Sequence, residues 1–201
     1  MSIKICQFVG NDIFSDCYII SDEDLGKECV IIDPGSEDIT EYASYIENNE
    51  FTPIYLFITH RHFDHFAGAN EIRKKYPSVR LVCNEECNEA IQNPGLNCSR
   101  YMYQHHSISL APAELIYRGK WSMEWNRHHI LFVPTPGHTS DSVSIIIEEN
   151  IFTGDALLKD IPTVTKLPSG NLEKQIGTEL FIKSLHGYKA WPGHGDAFVI
   201  K

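Results

Sequence analysis

The segment Thr59-His60-Arg61-His62-Phe63-Asp64-His65 places three imidazoles and a carboxylate within a few consecutive residues. Neutral imidazole and carboxylate are the usual ligands of zinc and of several neighbouring transition metals. The apolar run Ile54-Tyr55-Leu56-Phe57-Ile58 in front of them reads as a buried strand, so the cluster sits where a strand gives way to a loop. His60 and His62 can point one way while Asp64 and His65 turn towards a second position. Such a cluster can serve two metals if other segments supply more ligands.

Three later segments do so. Pro134-Thr135-Pro136-Gly137-His138-Thr139 follows the run Ile130-Leu131-Phe132-Val133, and Phe152-Thr153-Gly154-Asp155 follows Ser144-Ile145-Ile146-Ile147 and a polar turn. Trp191-Pro192-Gly193-His194-Gly195 closes another short hydrophobic stretch. Each delivers one His or Asp beside a glycine that lets the backbone turn or approach closely. A lone histidine is more often a satisfied structural residue than a ligand. Four strand ends that all carry ligand-type residues point to a metal site.

In this order, T-H-x-H-x-D-H, P-G-H-T, F-T-G-D and P-G-H resemble the motifs of the metallo-β-lactamase-fold hydrolases, and of their glyoxalase II-like branch in its short form. The resemblance runs from Asn11, through the Asp33-Pro34-Gly35 turn and the Asn93-Pro94-Gly95-Leu96-Asn97-Cys98-Ser99 loop, to His194. It implies an α/β fold, a four-layer αβ/βα sandwich of the metallo-β-lactamase type. It also implies one metal on His60, His62 and His138, a second on Asp64, His65 and His194, and Asp155 as the bridge. The cofactor implied is a pair of divalent ions, zinc before iron or manganese. Downstream of Asp155 the likeness breaks. Where glyoxalase II carries Gly-Arg and then Leu-Pro-Gly-Gly, this chain reads Lys159-Asp160-Ile161-Pro162-Thr163-Val164-Thr165-Lys166-Leu167-Pro168-Ser169-Gly170. Both that arginine and the basic C-terminal domain that grips glutathione carboxylates are missing, which turns the expectation away from a glutathione thioester.

Composition bounds the reading. A chain of 201 residues, 42% hydrophobic, can bury one substantial core, and a single domain over residues 1–201 is expected. A formal net charge of -10 disfavours a nucleic-acid partner, which calls for clustered Lys and Arg. No apolar run approaches the ~20 residues of a membrane span, and the N-terminus has no signal-like pattern, so a cytoplasmic enzyme of a small-molecule substrate is expected. The six cysteines contain no C-x-x-C pair and read as buried reduced thiols, Cys83 and Cys87 included.

Periodicity predicts strands over 7–9, 17–20, 29–32, 54–59, 79–83, 129–133, 142–147, 151–153 and 189–191. It predicts helices over 39–49, 66–76, 85–92 and 178–185. The pattern weakens over 93–127, which reads as a long connection forming part of a cleft wall. Its Tyr101 and Tyr103 are candidates for lining an acyl pocket. Its Met102, Trp121 and Trp125 can line the same pocket or cover the core edge or an interface, while adjacent His105 and His106 read more simply as such cover. His128, His129 and His186 carry no ligand pattern, and Ser21-Asp22-Glu23-Asp24 reads as a solvated turn.

The chemistry follows from the ligand set. Two divalent metals held there would supply a Lewis acid and a metal-bridging hydroxide for hydrolysis of a thioester, lactone or related acyl substrate, and Asp64 or Asp155 would take or relay the proton. Asp33, Thr59, Thr139 and Asp141 are candidates for orienting the ligands from behind. Two other readings remain open at this point: a mononuclear iron enzyme like the persulfide dioxygenases, whose F-T-G-D stretch is similar, and a noncatalytic metal-binding module.

Overall fold

The computed structural model describes residues 3–11, 14–22, 24–103 and 106–201. His105 and Glu23 lie outside the described residues. The first sheet places β1 (Ile3–Phe8), β2 (Cys17–Asp22), β3 (Glu28–Ile32), β4 (Thr52–Phe57), β5 (Arg80–Asn84) and β6 (Leu115–Tyr117) side by side in chain order. The second does the same with β7 (Trp121–Trp125), β8 (His128–Pro134), β9 (Val143–Ile147), β10 (Asn150–Gly154), β11 (Lys189–Pro192) and β12 (Phe198–Val199).

Alternation along the strands builds the layers, because successive side chains leave a strand on opposite faces. From β2, Tyr18 and Ile20 face the second sheet, where they join Val30, Ile32 and Phe57 against Phe132, Ile145, Phe152 and Trp191. Phe57 and Phe132 meet edge to face with ring centroids 5.0 Å apart. The other face of β2 sends Cys17 and Ile19 into a separate core with Tyr42, Ile46, Ile72 and Ile91. Those four belong to helices α1 (Thr40–Asn48), α2 (Ala69–Lys75) and α3 (Glu85–Ile91). They cover the first sheet because β3 to β6 pair in parallel, and parallel pairs need crossovers. A short α4 (Ser99–Met102) follows, and α5 (Leu172–Lys183) makes the crossover between parallel β10 and β11, with Ile182 against Ile151 and Ala190. The order is helix, sheet, sheet, helix, the expected four-layer sandwich. Among the described residues no helix is long and apolar enough to cross a membrane.

Two expectations need correction. The 93–127 stretch is not one connection: it contains α4, closes the first sheet with β6 and opens the second with β7. Trp121, Met123 and Trp125 alternate with exposed Ser122 and Glu124, and Trp125 is buried in the inter-sheet core. The last long helix also begins earlier than 178, at Leu172, where Asn171 caps it by accepting from the Lys174 N–H at 2.9 Å.

Strand direction explains where the chemistry collects. β3 and β4 run in parallel, while β8 and β10 both run antiparallel to β9, and β11 parallels β10. Asp33, His60, His138, Asp155 and His194 all follow the C-terminal ends of these strands. Open α/β sheets bind ligands at that edge.

Candidate metal centre

All seven sequence-predicted ligand positions meet in one cleft. The ligand-type atoms of His60, His62 and His138 lie within 4.8 Å of one another, as do those of His60, His65 and Asp155, and those of Asp64, His65 and His194. His62 Nδ1 stands 3.2 Å from His60 Nε2 and 2.9 Å from His138 Nε2. Ligand atoms ~2.0–2.1 Å from a tetrahedral zinc are about 3.3 Å apart, so this triangle has the size of a metal's coordination face. Asp155 turns its two oxygens to different groups. Oδ1 lies 3.4 Å from His65 Nε2 and 3.7 Å from His194 Nε2, while Oδ2 lies 3.5 Å from His138 Nε2. Asp64 Oδ2 faces His194 Nε2 at 3.4 Å.

The fit to cations can be tested on polar atoms left over. His65 Nε2 and Asp155 Oδ1 are buried without a hydrogen bond, although such groups are normally satisfied. Burial, then the charges of His65 and His138, push the His60 imidazole well below its ordinary pKa. Burial and His138 push His62 down to about 4. These rings therefore present lone pairs, as metal ligation demands. Burial works against a charge on His65 too, but Asp155 and Asp33 overcome it and raise that imidazole well above its usual value. Burial likewise opposes the Asp155 carboxylate, and the charge of His65, 3.4 Å away, outweighs it with those of His138 and His194 and holds its pKa low. The cleft is a pocket of clustered anions and lone pairs that calls for cations. Its residues fit divalent metal binding.

The far side of most rings is fixed. Thr59 donates to both Asp33 oxygens, from its N–H at 2.8 Å and its hydroxyl at 2.6 Å, and Asp33 Oδ2 lies 2.9 Å from His65 Nδ1. Thr59 Oγ1 also sits 3.1 Å from His60 Nδ1. His138 Nδ1 lies 2.7 Å from the Val164 carbonyl, which can only accept, so Nδ1 donates and Nε2 is left with its lone pair. Asp33 and Thr59 thus stand where orienting groups belong. Thr139 and Asp141 bond no candidate ligand ring directly: Thr139 bonds Ser142, and Asp141 takes the Arg61 guanidinium. Tyr101 projects into solvent, 73% exposed. Tyr103 packs on Phe63 and Phe14 and donates to Glu37 at 2.6 Å, so it braces the loop beneath Asp64. Sequence reasoning overlooked Arg61, the Val164 carbonyl and Gln175. Gln175 donates to the Ala156 carbonyl at 2.8 Å and packs under Gly137.

Two glycines are required by close approach. A Cβ at Gly154, whose φ is 49°, would lie 2.5 Å from Thr59 Oγ1. One at Gly193 would lie 2.4 Å from Asp155 Oδ1 and 2.5 Å from His65 Cε1. Gly193→Ala should cost about 1–3 kcal/mol of stability as an overpacked site. It should also displace Asp155 and His65 enough to lower bound metal, which elemental analysis of the folded variant would read. Full metal content would show that the loop gives way freely.

The residues from 10 to 194 match the family model of the metallo-beta-lactamase superfamily. The chain belongs to that superfamily. It is 30% identical over 190 residues to a probable metallo-hydrolase of Streptococcus pyogenes serotype M6, covering 91% of this chain and 79% of the relative. It is 34% identical over 130 residues to a hydroxyacylglutathione hydrolase of Buchnera aphidicola, covering 64% of this chain and 42% of that relative, less than half its length. Among solved structures, a B3 metallo-beta-lactamase, BLEG-1, superposes with a TM-score of 0.90 at 25% identity, over 98% of this chain and 94% of the other.

Proposed function

We propose that this chain is a binuclear metal-dependent hydrolase of small acyl substrates, a thioester or lactone in the first instance. The observation that carries the reading is Asp155, whose two oxygens face two different groups of histidines. His60, His62 and His138 would hold one ion, Asp64, His65 and His194 the other, and Asp155 would bridge. Bound there, divalent ions supply a Lewis acid and a water ionised near neutral pH. The protein's part is to aim lone pairs and to move protons. Asp33 orients His65, Thr59 orients both Asp33 and His60, and the Val164 carbonyl orients His138. An Asp64 carboxylate oxygen can take the proton released on attack and return it to the leaving group. No protein nucleophile is needed. Burial pushes the thiols of Cys17, Cys29, Cys87 and Cys98 upward, the opposite of an activated cysteine.

Residues 159–170 hold no arginine where glyoxalase II carries one, so the zinc-loaded protein should turn over simple thioesters or lactones. Matched for reactivity, S-lactoylglutathione should gain no more than about tenfold in kcat/KM, about 1.4 kcal/mol. A larger preference would make it a glutathione thioesterase. Oxygen uptake with a persulfide, by protein holding one iron, would replace hydrolysis altogether.

A further inference from the structure

Arg61, the residue between two of the proposed ligands, is itself buried. Its Nε donates to Asp141 Oδ1 at 2.6 Å and its Nη2 to Ser140 Oγ at 2.9 Å, with Glu86 Oε2 at 3.4 Å. Ser140 and Asp141 stand two and three residues beyond His138. The same partners are themselves held. Ser140 Oγ donates to Glu86 at 2.6 Å, and Asn84 Nδ2 donates to the Asp141 carbonyl at 2.7 Å. One guanidinium therefore ties the loop that carries His60 and His62 to the loop that carries His138. A buried cation beside a site that collects dications works against their binding through charge alone, so its place there needs another reason.

We propose that Arg61 and Asp141 form a positioning pair that fixes His138 against His60 and His62, and so sets the affinity of that metal position alone. The inference rests on the metal-dependent reading above, and deepens it. Asp64, His65 and His194 lie outside the tie. Charge and position make opposite predictions for Arg61: if charge dominated, removing the cation would tighten metal, whereas loss of the tether would loosen it.

Stepwise cobalt titration of the metal-free protein, followed by visible absorption, separates the two. A site of three histidines and a mixed site of histidines and carboxylate give cobalt different ligand fields. Arg61→Met and Asp141→Asn should each weaken the three-histidine equivalent by about 10–100-fold, the usual range for groups behind a ligand. The other equivalent should change little, and the double variant should be no worse than the poorer single one, as coupled partners are. Unchanged affinity in both equivalents, an equal fall in both, or tighter binding by Arg61→Met would each overturn the proposal. If either variant fails to fold, Ser140→Ala removes one acceptor of the tie and leaves the charges. It should weaken the same equivalent to a smaller degree, and no change there overturns the proposal. Wild-type protein that takes up two equivalents and hydrolyses nothing would refute the reaction yet leave the tether standing or falling on its own titration.

Discussion

Asp155→Ala is expected to abolish turnover and to reduce bound metal to one equivalent or fewer. Asp155 is the residue whose oxygens face both groups of histidines, so its loss removes a ligand from each position at once. Losing several kcal/mol of Lewis-acid stabilisation corresponds to a fall in kcat/KM on the order of 10³-fold or more, at about 1.4 kcal/mol per tenfold. The fold should survive. The side chain lies in the cleft, and the strand behind it is held by backbone pairing to β9 and β11. Asp155→Asn gives the sharper version, since it keeps the volume and one carbonyl oxygen while removing the charge. Elemental analysis beside circular dichroism would read both variants. A fully metallated, inactive Asp155→Asn would move Asp155 from ligand to proton carrier. Near wild-type turnover in either variant would defeat the binuclear mechanism. Replacing Cys98, the thiol whose pKa is raised by burial and then by the Asp64 charge, should leave the chemical step intact.

The candidate ligands were legible because metal sites need few residue types and each candidate lies at or just beyond the end of an apolar run. His60, His138, Asp155 and His194 could be read without knowing how the sheets meet. What holds them was less so. Asp33 could be found from its turn, but Arg61 pairs with Asp141 at a sequence separation of 80, and no local pattern joins them. The Val164 carbonyl is a backbone group and leaves no signal in side-chain type. In the fold, strands with buried runs such as 17–20 and 29–32 were found because both of their faces are covered, one by helices and one by the other sheet. β6 was missed because three residues cannot establish a period, and β7 because its aromatics read as pocket cover before their alternation with Ser122 and Glu124 was weighed. Asp22 read as part of a solvated turn, yet its side chain is fully enclosed.

That enclosure carries a large stability effect outside the hydrophobic core. His128 Nε2 lies 2.6 Å from Asp22 Oδ2 and its Nδ1 lies 2.9 Å from Glu148 Oε1. Asp22 is the last residue of β2 and His128 the first of β8, so the contact bolts one sheet to the other at the end opposite the metal cleft. His128→Ala removes one partner of a buried pair, which costs about 3 kcal/mol. For a domain of this size that lowers Tm by about 6–12 °C. Bound metal at neutral pH should not change, because the candidate ligands follow the other ends of the strands. The effect also has a pH signature. Burial alone would raise the Asp22 carboxyl, but the N–H groups of Asp24 and Leu25 and the His128 ring outweigh it and hold the pKa below its usual value. A carboxyl with a depressed folded pKa contributes stability that is fully present above its unfolded value of about 3.9 and is lost as pH falls through the folded one. Wild type and His128→Ala should therefore differ most near neutrality and converge as the pH drops below about 4. Urea melts across that range would read it. A difference that stays constant with pH would mean that His128 acts by packing against Trp125, whose ring lies 5.7 Å away, rather than through the carboxylate.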